Sequence, residues 1–425
     1  MRTRLERVSL VLLGLVFAAS ALQAGHLLVR SHGLQRDFRV YFIAALMIRN
    51  HEGSHIYDQA ADGADPQLTL ADPNTLFAEH ARKLGLDGVE LYVYPPLLAD
   101  LLVPLTSLRL ASAVHAWLLL NAIFILAATL ILARIISPNQ VRWFWPPLFV
   151  AVLLFRPTLD SLFLGQVSIL LLLLQVAGLY FYSESRTFPA ALMFAVITVI
   201  KITPLIVVVP LLAFRDWKQL RAFVLALAAL LIGICFVNGE GLLRQYVEHV
   251  VPSMSTGVVS VQNRNLGTAL QIAWQRTDQL PALRSISLLG KLLSLAVICY
   301  AGWLSRCTPK SDFARKTTVL MLFFLLACCL APVAWRHSYV LAAPSLAVLV
   351  GKAWKGRMNA VEFISLYCFV LLVVGFGFTQ WASDTGNPLL LDAAVVGPVA
   401  GIALTLALLY GRPRASLPLN EESLL

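Results

Sequence analysis

Residues 188–213 read FPAALMFAVITVIKITPLIVVVPLLA. Apart from Lys201, two threonines and three prolines, this run of 26 residues is apolar. About 20 such residues cross the hydrocarbon core of a bilayer, so the stretch predicts a membrane helix. A lysine at that depth is expensive and marks a functional position by default, although its long stem could snorkel to an interface. Pro204 removes a backbone N–H and frees a carbonyl one turn upstream. Backbone broken at membrane depth survives where it lines a cavity or is buried in protein. The run is therefore expected to be bent or re-entrant, with Lys201 beside an internal polar site.

Runs of this kind recur along the chain. Of 425 residues, 59% are hydrophobic and only 13% charged, more apolar surface than a soluble domain can hide. The expected fold is an all-α polytopic membrane protein, because the short alternating segments of a β-barrel do not occur. The formal charge of +10 does not indicate a nucleic-acid partner, since no basic stripe with interleaved aromatics is seen. Lysine and arginine instead gather in short loops, RDWKQLR (215–221), SRCTPKSDFARK (305–316), GKAWKGR (351–357) and GRPR (411–414), which the positive-inside rule places in the cytoplasm. The six cysteines lie in or beside apolar spans without a CxxC or Cys/His grouping, and read as small core residues.

These charges orient the chain. A basic N-terminus precedes a first span at 8–29. AASALQAG (18–25) has the small residues of a cleavage site, but the apolar run continues to Val29 and favours a retained anchor. Residues 30–93 then form a long first outer loop. Spans follow from 94–105, 112–133, 221–237, 285–304, 317–333, 340–351, 361–379 and 391–410, with a second outer loop at 238–283. The stretches 145–165 and 188–213 break the in–out alternation, so each predicts a bent or re-entrant element. About 11–13 transmembrane or re-entrant helices result. Residues 1–414 read as one integral membrane domain and 415–425 as a cytoplasmic tail without a role. The halves show no inverted repeat, which argues against a secondary transporter.

On this topology the unusual polar residues collect at the outer face. Asp37, between Arg36 and Arg39, suits a general base, because a partly desolvated carboxylate gains basicity. A helix N-cap or an ion pair would equally place an acid there. Arg156 and Gln166 offer donors to a phosphate or a sugar hydroxyl, and Asp160 is a natural partner for Arg156. Tyr94, Asn263 and Asn265 can contact a sugar or an acceptor. Trp335 is an ordinary interfacial anchor, but Arg336 and His337 beside it suit a phosphate. His51 and His55 have metal-ligand spacing on a helix without a third ligand in a firm pattern, so no metal or other cofactor is expected. Walker-type loops and GxSxG elbows are absent.

Several of these stretches, in order, resemble one known family. RDFRVYFIAALMIRNHEGSHIYD (36–58), YVYPPLLADLLVPL (92–105), LGQVSILLLLL (164–174), AVITVIKITPLIVVVPLL (195–212), NRNLG (263–267) and WRHSYVLAAP (335–344) are similar to motifs of glycosyltransferase family 87. NRNLG departs from the family's more usual Asn-Gln-Ser-Leu. The resemblance implies a GT-C-like fold and inverting transfer of a hexose, mannose favoured, from a polyprenyl-phosphate-sugar donor. The acceptor would be a glycolipid or glycan hydroxyl, and the active site would face outward from the plasma membrane. It further implies Asp37 as base; the residues themselves suggest Lys201, Arg336, His337 and Arg156 at the donor phosphate and Tyr94, Gln166, Asn263 and Asn265 at the sugar or acceptor. A lipid-linked sugar carrier and a surface-polysaccharide polymerase or ligase are the competing readings.

Overall fold

A computed structural model describes residues 35–58, 70–255, 263, 265–275, 283–309, 311–355, 364 and 388–410. The expected span 8–29, nearly all of the span at 361–379 and the tail 415–425 lie outside the described residues. The helices in chain order are α1 (Arg36–Arg49), α2 (Leu76–Lys83), α3 (Pro96–Leu102), α4 (Leu110–Ile136), α5 (Val141–Leu153), α6 (Arg156–Leu164), α7 (Ser168–Ser183), α8 (Thr187–Ile200), α9 (Val208–Ala213), α10 (Trp217–Asn238), α11 (Glu240–Gln245), α12 (Val251–Ser255), α13 (Leu266–Gln275), α14 (Leu283–Ser305), α15 (Phe313–Leu330), α16 (Ala343–Trp354) and α17 (Pro388–Tyr410). Among the described residues β-structure is confined to two isolated bridges, Leu70 with Glu90 and Asn263 with Trp335. The protein is an all-α polytopic membrane protein.

Four described segments are long and apolar enough to cross a bilayer: α4, α10, Ser287–Ser305 of α14, and α15. Helix α15 is apolar on every side and buried along most of its length, as a central helix must be. It packs against α17, the 3-10 turn Arg336–Ala342 and the turn Thr203–Val207. Helix α8 packs against α7 and α10.

Both expected breaks are present. Helices α5 and α6 would form one span but are bent by 62°. The cause is local. Phe155 is extended, with φ −62° and ψ 120°, and Pro157 opens the first turn of α6, a position its ring favours. In the second break α8 stops at Ile200, and Lys201 is extended before a 3-10 turn begins at Thr203. Pro204 has no N–H to return to the Ile200 carbonyl, so the α-helical ladder cannot continue there.

The first outer loop holds a surprise. Helix α1 is buried, with Phe38, Tyr41, Phe42, Ile43 and Met47 all almost inaccessible. It packs against α3 and the turn Val103–Ser107, and Arg49 donates to the Thr106 carbonyl at 2.7 Å. Helix α1 ends at Arg49, and His51 has φ +61°. His51 and His55 therefore do not share a helix face, and His55 instead bonds Asp58 at 2.9 Å.

Candidate active site

The site grows from the way α1 begins. Its N-cap is Gln35, not Asp37. The Gln35 N–H donates to the Phe163 carbonyl at 2.8 Å, and its side-chain amide donates to the Leu162 carbonyl at 2.6 Å. The start of α1 is thereby tied to the end of α6, and Asp37 lies in the first turn, facing the residue that follows Gly165.

That residue is Gln166. Two phenols fix its amide: Tyr41 donates to Oε1 at 2.9 Å and Tyr94 at 3.1 Å. With its oxygen occupied by donors, the Gln166 NH2 points the other way and donates to Asp37 Oδ2. Burial raises both phenols well above their ordinary range, so they remain protonated donors. The other carboxylate oxygen, Oδ1, lies 3.6 Å from Arg36 Nε. Arg36 is shared, because Glu90 holds the same nitrogen at 2.7 Å. Burial pushes the Asp37 carboxyl up, Arg36 lowers it, Glu90 raises it and the Gln166 bond lowers it, leaving it at about 6. A carboxylate in that range is a competent base near neutral pH.

Asp37, Arg36, Glu90, Tyr94 and Gln166 line one side of a cavity of about 670 Å³. Asp160, Lys201, Arg336 and His337 line it as well. Lys201 donates to Ser338 at 2.9 Å. Arg336 lies 3.4 Å from Asp160 Oδ2, whose other oxygen accepts from Arg156 at 2.8 Å. Burial, with Lys201 and Arg336 nearby, pushes His337 well below its ordinary range, so the imidazole is neutral and serves as a hydrogen-bonding group. The lining also includes apolar residues, Ile202, Leu205, Val209 and Ile298, of which Ile202 and Leu205 are exposed.

The cavity thus gathers six of the nine residues singled out from sequence: Asp37, Tyr94, Gln166, Lys201, Arg336 and His337. Arg156, Asn263 and Asn265 are not in its lining. Arg156 reaches the site through Asp160. The two asparagines bind chain to chain: Asn263 donates to Thr268 and Pro332 at 3.0 Å and accepts from the Ala334 N–H at 2.7 Å, while Asn265 donates to Pro332 at 2.7 Å. Reading the sequence missed Glu90, Tyr41 and Tyr246, all in the lining. Tyr41 stands four residues after Asp37, hence on the same helix face, and spacing could have found it. Nothing local marks Glu90.

Comparison with known proteins places the chain among known sequences. The family model described as glycosyltransferase family 87 matches residues 92–332. That range takes in Gln166 and Lys201, while Asp37, Arg336 and His337 lie beyond its ends. A polyprenol-phosphate-mannose-dependent alpha-(1-2)-phosphatidylinositol mannoside mannosyltransferase of Mycobacterium tuberculosis is 24% identical over 297 residues, 66% of this chain and 67% of that protein. A polyprenol-phosphate-mannose-dependent alpha-(1-2)-phosphatidylinositol pentamannoside mannosyltransferase of the same species is 25% identical over 337 residues, 79% of this chain and 73% of the relative.

Proposed function

The chain belongs to glycosyltransferase family 87, and from that premise we propose that it moves mannose from a polyprenyl-phosphate-mannose donor to a hydroxyl of a glycolipid or glycan, with inversion, at the outer face of the plasma membrane. The observation that carries this reading is one cavity lined by a carboxylate held at about 6, by Lys201 and Arg336, and by apolar residues. A lipid-linked sugar phosphate has a hydroxylated ring, an anionic group and an isoprenoid tail, and each finds a matching surface there. Both relatives bear names that specify such a donor and a phosphatidylinositol mannoside acceptor.

In the proposed step Asp37 accepts the proton of the acceptor hydroxyl. The new bond forms from that oxygen to the anomeric carbon, and the bond from that carbon to the phosphate oxygen breaks on the opposite face. The electron pair leaves with the polyprenyl phosphate. Lys201 and Arg336 stabilise the charge that develops on it, and His337 supplies a neutral hydrogen-bonding group. Asp160 aims Arg336, and Arg156 holds Asp160 in place.

Transfer of labelled mannose from polyprenyl-phosphate-mannose is the test. Membranes containing the protein should label a lipid or glycan acceptor above membranes lacking it. Labelling no greater than background with this donor, alongside labelling with another polyprenyl-phosphate sugar, would displace mannose. No labelling with any such donor would overturn the reading.

The pH dependence follows from the site. The base must be ionised, so kcat/KM falls about tenfold per unit as pH drops below about 6. Glu90 raises Asp37 and Arg36 lowers it. Glu90→Gln removes the first influence and leaves the second, so the acid limb moves to lower pH. A limb unmoved or shifted upward in that variant contradicts the electrostatic account.

A further inference from the structure

A second groove lies between α9, the start of α10 and the end of α14. It is a hollow of about 390 Å³ with Val209, Leu212, Ala213 and Gly302 on its floor and Arg215, Trp217 and Arg306 at its rim. Gly302 is what lets the two walls approach, since a Cβ there would stand 3.1 Å from Val209 Cγ1. Both arginines are exposed, and among the described residues neither is paired with a carboxylate. Asp216, next in sequence to Arg215, is already engaged. It accepts from the Tyr182 hydroxyl at 2.8 Å and from the Gln219 N–H at 3.3 Å, and it lies 3.6 Å from Lys316. Arg215 itself has φ +54°, an uncommon backbone state for a residue with a side chain.

Trp217 lines the groove, and Trp303 follows its Gly302 in sequence. Trp217 and Trp303 are each more than half exposed, and Trp303 stacks on Tyr300 at 5.8 Å between centroids. Exposed indoles at the end of an apolar helix sit at headgroup level. Two exposed guanidiniums, without a carboxylate partner among the described residues, beside an apolar trough match a molecule with an anionic head and a hydrocarbon chain.

We propose that this groove is a binding site for an anionic glycerophospholipid, with the phosphate between Arg215 and Arg306 and an acyl chain along Val209, Leu212 and Ala213. It is separate from the polar wall that carries Asp37, although Val209 contributes to both hollows. The site would hold a structural lipid between α9 and α14. Because α9 follows directly on the 3-10 turn Thr203–Val207, which begins two residues after Lys201, the lipid would brace that turn.

Native mass spectrometry of the full chain, released from nanodiscs of phosphatidylcholine and phosphatidylglycerol, tests this. The wild type should retain phosphatidylglycerol in preference to phosphatidylcholine. A basic side chain near an anionic surface contributes about fivefold in affinity, so Arg215→Gln/Arg306→Gln should lower retention about tenfold or more. Lys218→Gln/Arg221→Gln removes two exposed charges from the same end of α10, outside the groove, and should leave retention within about twofold. Equal retention by the groove variant and wild type would overturn the proposal. So would an equal loss in the two double variants, which would mean diffuse surface charge, or a wild type that keeps both lipids alike.

Discussion

Asp37→Asn should lower mannose transfer by about a hundred- to ten-thousandfold, the usual contribution of a general base, while the protein stays folded. The substitution is nearly isosteric. Gln166 presents its NH2 because Tyr41 and Tyr94 occupy its oxygen, and an asparagine carbonyl can accept that bond as the carboxylate does. The tie between Gln35 and the Phe163 carbonyl is untouched. What disappears is the capacity to take a proton. The measurement is transfer in membranes matched for protein level, with thermal unfolding of the purified variant beside it. A variant that unfolds like the wild type and transfers like it would remove Asp37 from the chemistry.

Gly165→Ala should damage both stability and transfer, through packing. Gly165 has φ +73°, and a Cβ there would fall 2.5 Å from Gln35 Oε1 and 2.8 Å from Phe38 Cβ. The left-handed conformation costs an L-residue about 1–2 kcal/mol, and overpacking a filled site adds about 1–3 kcal/mol. Together they predict a loss of about 2–5 kcal/mol. The start of α1 must move to relieve the clash, and Asp37 moves with it, away from Gln166. Gly85→Ala is the control. Gly85 has nearly the same φ, +75°, yet nothing lies within 4 Å of its Cβ position. It should lose only the conformational part and keep its transfer activity. Equal melting temperatures and equal activities in the two variants would show that the close approach of α1 to Gly165 is unimportant.

The sequence was most informative where the physics is local. The runs 112–133, 221–237 and 285–304 became α4, α10 and α14 with ends shifted by a few residues, because apolar length alone decides a span. The breaks at 145–165 and 188–213 were also legible, since proline acts on its own neighbours. Helix α1 was not. Its charged ends make it look like a loop, and the contacts that bury it come from α3, Phe163 and Gln166, far along the chain. Glu90 depends on the same long-range closure. Asn263 and Asn265 show the opposite case. Asparagine in an outer loop reads as a sugar ligand, but these two spend their amides on Pro332, Thr268 and Ala334.

That asparagine clasp ties together two parts of the chain that are far apart in sequence. It joins Asn263 and Asn265 to Pro332 and Ala334, with an isolated bridge from Asn263 to Trp335, and Arg336 is the next residue along. Were the proposed acceptor to displace Asn263 or Asn265 on binding, the displacement would be felt at Arg336, the side chain proposed for the donor phosphate. Linkage requires the effect to be reciprocal: acceptor binding changes the grip on the donor by the same factor that donor binding changes the grip on the acceptor.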